Sequence, residues 1–271
     1  MIAIPTFKRS SNVKTLEYLK KENVPLELIT LFVVESEYES YSKNYPEYNI
    51  VVGELGIANQ RNFITRHYDE GTFVISMDDD IDDLISVNNL SFLEWVSKCI
   101  EYMKSNKIGL LGISPVSNLR WIQERKGDLK CGRYLCVGVF QIYQVRKECI
   151  LHHNYIEDYE RSIFYIKQDG AVGRYNGVCL KTKFWGKGGC MASGRTVEEY
   201  CNQVHQLAAT YPDEVYISMK QTPLAKEPVP NIRIRRTAGQ RPLAVHANLK
   251  NQPKNPACEV ELPRRFSTDL A

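Results

Sequence analysis

The run Thr72 to Asp83, TFVISMDDDIDD, constrains this chain more than any other stretch: an apolar strand ends in five aspartates within six residues. Carboxylates this close repel and raise one another's pKa. Ionised Asp78, Asp79 and Asp80 therefore call for a divalent cation or a set of donors between them. Hard oxygen ligands suit Mg²⁺ or Mn²⁺, which use one or two carboxylates and complete their shell with phosphate oxygens and water. Two simpler readings stand beside this one, a solvated acidic turn or a helix start in which Asp82 and Asp83 face the positive end of the dipole.

The flanking pattern is that of an α/β protein. Ile2 to Pro5 reads as a first strand. Ser10 or Ser11 is placed to cap a helix with Val13, Leu16 and Leu19 on one face, and Ile29 to Val34 reads as a second, buried strand. Ile50 to Val52 is a third strand, Gly53 and Gly56 loosen the turn into a helix beginning near Ala58 and ending before Gly71, and Thr72 to Met77 is the fourth strand. This alternation implies a largely parallel sheet with right-handed crossovers. Farther on, Ser91-x-x-Glu94 has capping-box spacing and opens a helix with Phe92, Val96, Cys99, Ile100 and Met103 on its apolar side. Strands follow at Ile108 to Ile113 and Cys136 to Ile142. Thr196-x-x-Glu199 opens a last helix carrying Val197, Tyr200, Val204 and Leu207.

Bulk properties narrow the class. At 271 residues the chain is long enough for one elaborated α/β domain. Its eight cysteines lack zinc-site spacing and read as reduced thiols. MIAIPTF enters a strand directly, and no window approaches a membrane span, so the expected location is cytoplasmic. The net charge of +3 conceals an asymmetry: residues 220–271 hold ten Lys/Arg, four Asp/Glu and seven of the twelve prolines. The expected division is a domain over 1–219, with a nucleotide-side half (1–85) and an acceptor-side half (86–219), followed by a basic extension over 220–271. Such a tail suits a nucleic acid or simply solvent.

Ligands of open α/β sheets bind beyond the carboxyl ends of the strands. Thr6 and Arg9 follow strand one, Glu35 follows strand two, and the Gly56 to Asn62 turn precedes the aspartate strand. Glu35 is suited to a nucleoside, Arg61 to a phosphate, and the backbone near Gly56 at a helix N-terminus to an anion. Between Arg161 and Arg195 seven Lys/Arg accompany a single acid, Asp169, interleaved with Phe164, Tyr165, Tyr175, Phe184 and Trp185. That mixture suits a polyanion with bases to stack, and it equally describes a half-exposed strand. Lys183 to Gly189 reads as a loop able to close over substrate.

IPTFKR, KTLEYLKKENVP, VVGELGIANQRNFI, SMDDDID and YIEDYERSIFYI, in this order, resemble the TET/JBP-associated glycosyltransferases, a phage-rich group of GT-A type similar to enzymes that place sugars on 5-hydroxymethylcytosine in DNA. The likeness covers most of residues 1–190. It implies a GT-A (Rossmann-like) fold, a mostly parallel central sheet flanked by helices, a UDP-sugar donor and Mn²⁺ or Mg²⁺. It further implies that Asp80, with Asp78, holds the metal, and that Asp78 and Asp79 contact metal, ribose or donor sugar. Pro5, Thr6, Arg9 and Glu35 would face the nucleotide. Arg61, with Gln60 and Asn62, would face the diphosphate or transferred sugar. A histidine metal ligand common in such folds has no match in pattern at His205 or His246.

The YIEDYE segment supplies the other candidate. An inverting transferase needs a carboxylate beside the acceptor hydroxyl, and Asp158 is the expected general base. Glu157 and Asp158 are also well placed merely to favour the start of the following helix. The expected activity is sugar transfer to 5-hydroxymethylcytosine in phage DNA. The alternatives are a protein or glycan acceptor, a non-catalytic DNA-binding module, and a metal-dependent nuclease.

Overall fold

The structure, a computed structural model, describes residues 1–114, 128–182, 194, 196–221 and 227–235. Apolar runs become strands and amphipathic runs become helices in the expected alternation. The first four strands are β1 (Ile2–Pro5), β2 (Ile29–Val33), β3 (Asn49–Val52) and β4 (Phe73–Met77). They are joined by α1 (Lys14–Lys21), α2 (Tyr38–Asn44) and α3 (Ile57–His67). All four strands are mutually parallel, in the order β3-β2-β1-β4. Next come β5 (Ile81–Ser86), α4 (Phe92–Asn106), β6 (Leu110–Ile113), β7 (Leu129–Gly132) and β8 (Phe140–Gln144). They are followed by α5 (Glu157–Asp169), β9 (Val172–Tyr175), β10 (Val178–Thr182), α6 (Val197–Thr210), β11 (Val215–Lys220) and β12 (Val229–Ile234).

The central sheet has eight strands in the order β3-β2-β1-β4-β8-β6-β9-β7. Only β8 and β7 run against the others, so this is a mixed α/β protein with a mostly parallel sheet flanked by helices, as the sequence implies. Strand alternation sends Ile2, Ile4, Leu31, Val33, Ile75 and Met77 into one core with α1 and α4. Ala3, Phe32 and Val74 enter a second core on the opposite face with α3 and α5. Trp95, fully buried, stacks on Tyr175 and tilts against Phe140 at the centre of the first core.

Both capping-box signals are realised. Ser91 and Glu94 close a reciprocal box at α4, and Thr196 Oγ1 accepts the Glu199 N–H at α6. The start of α1 differs from expectation: the helix opens at Lys14 behind Val13, and neither Ser10 nor Ser11 caps it. Asp82 and Asp83 are not a helix start either. They lie on β5, which pairs antiparallel with β10. The strand expected from Cys136 begins only at Phe140, because the preceding backbone bonds to side chains: the Cys136 N–H goes to Ser162 Oγ and the Gly138 N–H to Asp158.

Of the residues between Arg161 and Arg195, several expected at the surface are interior. Tyr165 and Tyr175 are core residues. Arg161 is buried beneath Tyr143, with Nη1 donating to Gln141 Oε1 at 2.9 Å, and Arg174 lies over Tyr134. Lys183 to Gly189, including Phe184 and Trp185, lies outside the described residues. Residue 220 falls within a folded hairpin, since β11 pairs with β12 and both pack on α6. His246 is outside the described residues, and His205 sits on the exposed side of α6. Cys99, Cys131, Cys136, Cys149 and Cys201 are free thiols. No helix among the described residues is long and apolar enough to cross a membrane.

Candidate active site

The five aspartates each meet a basic side chain. Helix α1 supplies Lys14 to Asp82 (2.6 Å) and Lys21 to Asp83 (3.6 Å), which answers the like-charge problem at the outer end of the run. Asp79 and Asp80 share Arg9, at 3.4 and 3.1 Å, and Asp78 meets Arg61 at 2.9 Å. The backbone of the turn is pinned by Thr15. Its hydroxyl donates to the Asp78 carbonyl (2.5 Å) and accepts the Ile81 N–H (3.1 Å).

These three carboxylates have different surroundings. Asp79 turns inward and ends a chain of donors: the Arg9 N–H donates to the Tyr41 hydroxyl, Tyr41 to Thr6 Oγ1, and Thr6 to Asp79 Oδ2, the last at 2.7 Å. Burial pushes the Asp79 carboxyl up to about 7, against the pull of Arg9 and Thr6. Asp80 is also raised, by burial and then by Asp78, with Arg9 opposing. Asp78 and Asp80 retain 35% and 27% of their side-chain exposure, so this pair opens outward.

The pair fits a divalent cation. Residual repulsion between Asp78 and Asp80 marks a place where positive charge is favourable, and two carboxylates are the usual protein share of a Mg²⁺ shell. Among the described residues no group of three His, Cys, Asp or Glu forms a ready cage. Asp78 and Asp80 are thus the side chains of this site that could hold a metal.

The remaining expected residues are distributed as follows. Pro5 ends β1 and is buried; the Thr6 and Arg9 side chains reach the aspartates. Glu35 is exposed in a short turn after β2. Its neighbour Glu37, which the sequence reading passed over, accepts the Lys8 N–H through both oxygens and shapes the loop after β1. Gln60 is buried and turned away, its Oε1 accepting the Glu54 N–H at 2.8 Å. Asn62 bonds the Leu151 backbone at 2.7 and 2.9 Å. Gly56 takes φ +94° before α3, and the Ala58 N–H there goes to Asn154 Oδ1 at 3.0 Å. That donor of the helix end, expected to meet an anion, is thus capped from within.

Arg61 is interior. Only 2% exposed, it donates to Ser76 Oγ (2.9 Å), to Asp78 Oδ1 (2.9 Å) and to the Gly138 carbonyl (3.0 Å), and its Nε lies 3.4 Å from Glu157 Oε1. A buried guanidinium suits this duty because its fork engages several acceptors at once. Gly138 in turn donates its N–H to Asp158 Oδ2 at 3.2 Å, while Asp158 Oδ1 accepts the Tyr159 N–H at 2.8 Å. One oxygen thus caps the helix start and the other crosses to the β8 side. Asp158 is half-buried, densely surrounded by protein. Burial and then Glu157 push its carboxyl up to about 7, with the Gly138 and Tyr159 amides and Arg61 pulling back.

A latch joins the helices that carry these groups. His152 and His153 both bond Glu160 on α5, at 2.7 and 3.1 Å through Nδ1, and the adjacent Leu151 and Asn154 bond α3. Burial alone would raise the Glu160 carboxyl, but the His153 and His152 hydrogen bonds outweigh it and hold it low. Gly138, Thr15 and Asn154 escaped sequence reasoning, while Glu157 was expected only to favour the start of its helix. Only the place of the glycine beside an apolar run hints at Gly138.

A mostly parallel α/β sheet with a carboxylate cluster beyond the carboxyl end of a central strand is an architecture of ligand-binding α/β proteins. Residues 1–107 match the family described as TET-Associated Glycosyltransferase, a span that runs from β1 to α4 and includes all five aspartates. Asp158 lies beyond the matched residues. No curated protein matches the chain. Among solved structures it is similar to CMP:2-keto-3-deoxy-manno-octonic acid synthetase complexed with CTP, at 8% identity, TM-score 0.38, over 65% of this chain and 87% of that one. It is also similar to the bifunctional IspDF of Campylobacter jejuni, at 11% identity, TM-score 0.34, over 60% of this chain and 46% of that one. Likenesses this distant leave the activity to be read from the site.

Proposed function

We propose that the protein is a metal-dependent glycosyltransferase that moves a sugar from a UDP-sugar to the hydroxymethyl group of 5-hydroxymethylcytosine in phage DNA, with inversion and with Asp158 as base. One observation carries this reading: Asp158, with a carboxyl near neutrality, is tied through Gly138 and Arg61 to Asp78 of the aspartate cluster. Two carboxylate centres with opposed tasks, one for a diphosphate and one for a hydroxyl proton, are held in a single hydrogen-bonded unit.

In the reaction the acceptor oxygen bonds to the anomeric carbon as the bond from that carbon to the diphosphate oxygen breaks. The hydroxyl proton passes to Asp158, and the electron pair of the broken bond leaves with the diphosphate. Mg²⁺ or Mn²⁺ at Asp80 and Asp78 would offset charge on the departing diphosphate. Arg61 holds Asp78 and Glu157 in place, and Arg9 neutralises Asp79 and Asp80 on the side of the nucleotide. A base with a pKa near the working pH combines availability with proton affinity, which favours Asp158 over an ordinary surface carboxylate.

The test is mass spectrometry of nucleosides from 5-hydroxymethylcytosine DNA incubated with the protein, Mn²⁺ or Mg²⁺ and a panel of UDP-sugars. A hexose or N-acetylhexosamine increment confined to the modified base is the expected result. Metal-dependent hydrolysis of a nucleotide sugar with no increment on DNA would redirect the acceptor to protein or glycan.

A further inference from the structure

The polyanion signal in the sequence fell on residues 161–195, yet the aromatic and basic side chains described there are largely interior. A different surface has the required chemistry. In the β11–β12 hairpin the register pairs Tyr216 with Arg233, Ser218 with Asn231 and Lys220 with Val229. Because strand side chains alternate, these residues share one face, and Arg235 continues it. On the opposite face Val215 and Ile232 pack on α6 and α5 while Ile217 and Met219 are exposed, and on the first face Val229 and Asn231 are buried between the exposed side chains. Tyr216, Lys220, Arg233 and Arg235 are exposed, and Arg235 lies over the Tyr216 ring at 5.6 Å. Arg133, which follows β7, adds another cation by donating to the Arg235 carbonyl at 2.8 Å.

No carboxylate pairs with Arg133, Lys220, Arg233 or Arg235 among the described residues. Of the acids flanking that face, Glu214 is matched by Lys167 at 3.2 Å, and Glu227, ahead of β12, is exposed. The face also leads to the proposed base. Asn231 accepts from the Tyr200 hydroxyl at 3.1 Å, and burial and then Asp158 raise the pKa of Tyr159, the residue after Asp158, with Arg233 and Asn231 pulling back.

We propose that this hairpin face, with Arg133, is the platform on which the phosphodiester backbone of duplex DNA lies while a base is presented to Asp158. The proposal rests on the reading of DNA as acceptor. Guanidinium and ammonium groups without a carboxylate partner, beside an exposed aromatic ring, are complementary to a phosphate chain, and release of the counterions condensed on DNA makes such binding salt-dependent. An extruded base would enter from this side, where Tyr159 and Tyr200 flank the carboxylate.

Fluorescence anisotropy of the full chain with a short labelled duplex tests it, comparing wild type, Arg233→Glu with Lys220→Glu, the milder Arg233→Gln with Lys220→Gln, and Lys43→Glu on α2 at the opposite edge of the sheet. Each phosphate contact removed is expected to lower the slope of log K against log[salt] by about one, so the paired variants lose about two and bind about tenfold or more weakly at low salt. Lys43→Glu is expected to bind as wild type, and all variants to keep the wild-type melting temperature. Wild-type affinity and slope in both paired variants, or no salt-dependent binding by wild type, would overturn the proposal. If the paired variants lose binding while 5-hydroxymethylcytosine DNA receives no sugar, the platform stands and the acceptor reading fails; transfer with binding unchanged in the paired variants removes the platform alone.

Discussion

Gly138 gives its N–H to Asp158 Oδ2 at 3.2 Å and its carbonyl to Arg61 Nη2 at 3.0 Å, so one glycine joins the proposed base to the arginine behind the aspartates. A methyl group at this position would stand 3.1 Å from Arg61 Nη2 and 3.2 Å from Glu157 Oε1. Both neighbours would have to shift. Gly138→Ala is expected to lower kcat by about tenfold to a hundredfold with a smaller change in donor KM, since small displacements of reacting groups are costly. Steady-state kinetics beside a melting curve separates this from simple unfolding.

Removing Arg61 has a different signature. Asp78 and Glu157 would both lose a buried cation, and breaking such an arrangement from one side costs about 3 kcal/mol or more. Arg61→Met is expected to be strongly destabilised in urea titrations, and Arg61→Lys to recover part of that loss but not the full activity, because an ammonium lacks the guanidinium fork. Wild-type stability in Arg61→Met would contradict the interior role.

As a base Asp158 must be ionised when the acceptor arrives. With its carboxyl up to about 7, kcat/KM is expected to rise with pH and level off above that value. Asp158→Asn is expected to lose about a hundredfold or more in rate and the acidic limb of the profile, while still binding nucleotide sugar. An unaltered pH profile in the variant would remove Asp158 from the reaction.

Stability should show the buried Asp79. Its folded-state pKa of about 7 exceeds the ordinary 3.8, so the folded protein holds this proton more tightly than the unfolded chain. The corresponding stability is present below the ordinary value and is lost as pH rises through about 7. Asp79→Asn is expected to flatten the fall in melting temperature between mildly acidic and mildly alkaline pH, as read by calorimetry across that range.

Asp80 faces outward and shares Arg9 with Asp79, so it can be truncated with little effect on the core. Asp80→Ala is expected to keep the wild-type melting temperature within a few degrees and to lose both transfer and Mn²⁺ binding in the presence of UDP. A fully active variant would sink the assignment of the metal.

Much of the fold is written in local pattern. The apolar runs of β1 to β4, the Ser91 and Thr196 caps and the amphipathic faces of α4 and α6 depend on neighbours within a few residues, and such signals survive in a linear reading. β5 was hidden because Asp82 and Asp83 break its apolar pattern, and it exists because β10 pairs with it and α1 supplies two lysines. The hairpin of β11 and β12 was obscured by exposed Ile217 and Met219, which make its alternation irregular.

The candidate site divides the same way. Chemical type is a property of the sequence: five acids after a strand demand positive charge, and a carboxylate at the start of an amphipathic helix is available for proton transfer wherever the chain carries it. The partners are a property of the tertiary structure. Arg61 and Asp78 are 17 residues apart, Thr6 and Asp79 are 73 apart, and Asp158 meets Gly138 across 20. Sequence alone determined which groups needed neutralising. Sheet order and helix packing decided which cation reaches which acid, because only the folded core brings α1, α3 and α5 to the same edge and removes enough water to set Asp79 and Asp158 near neutrality.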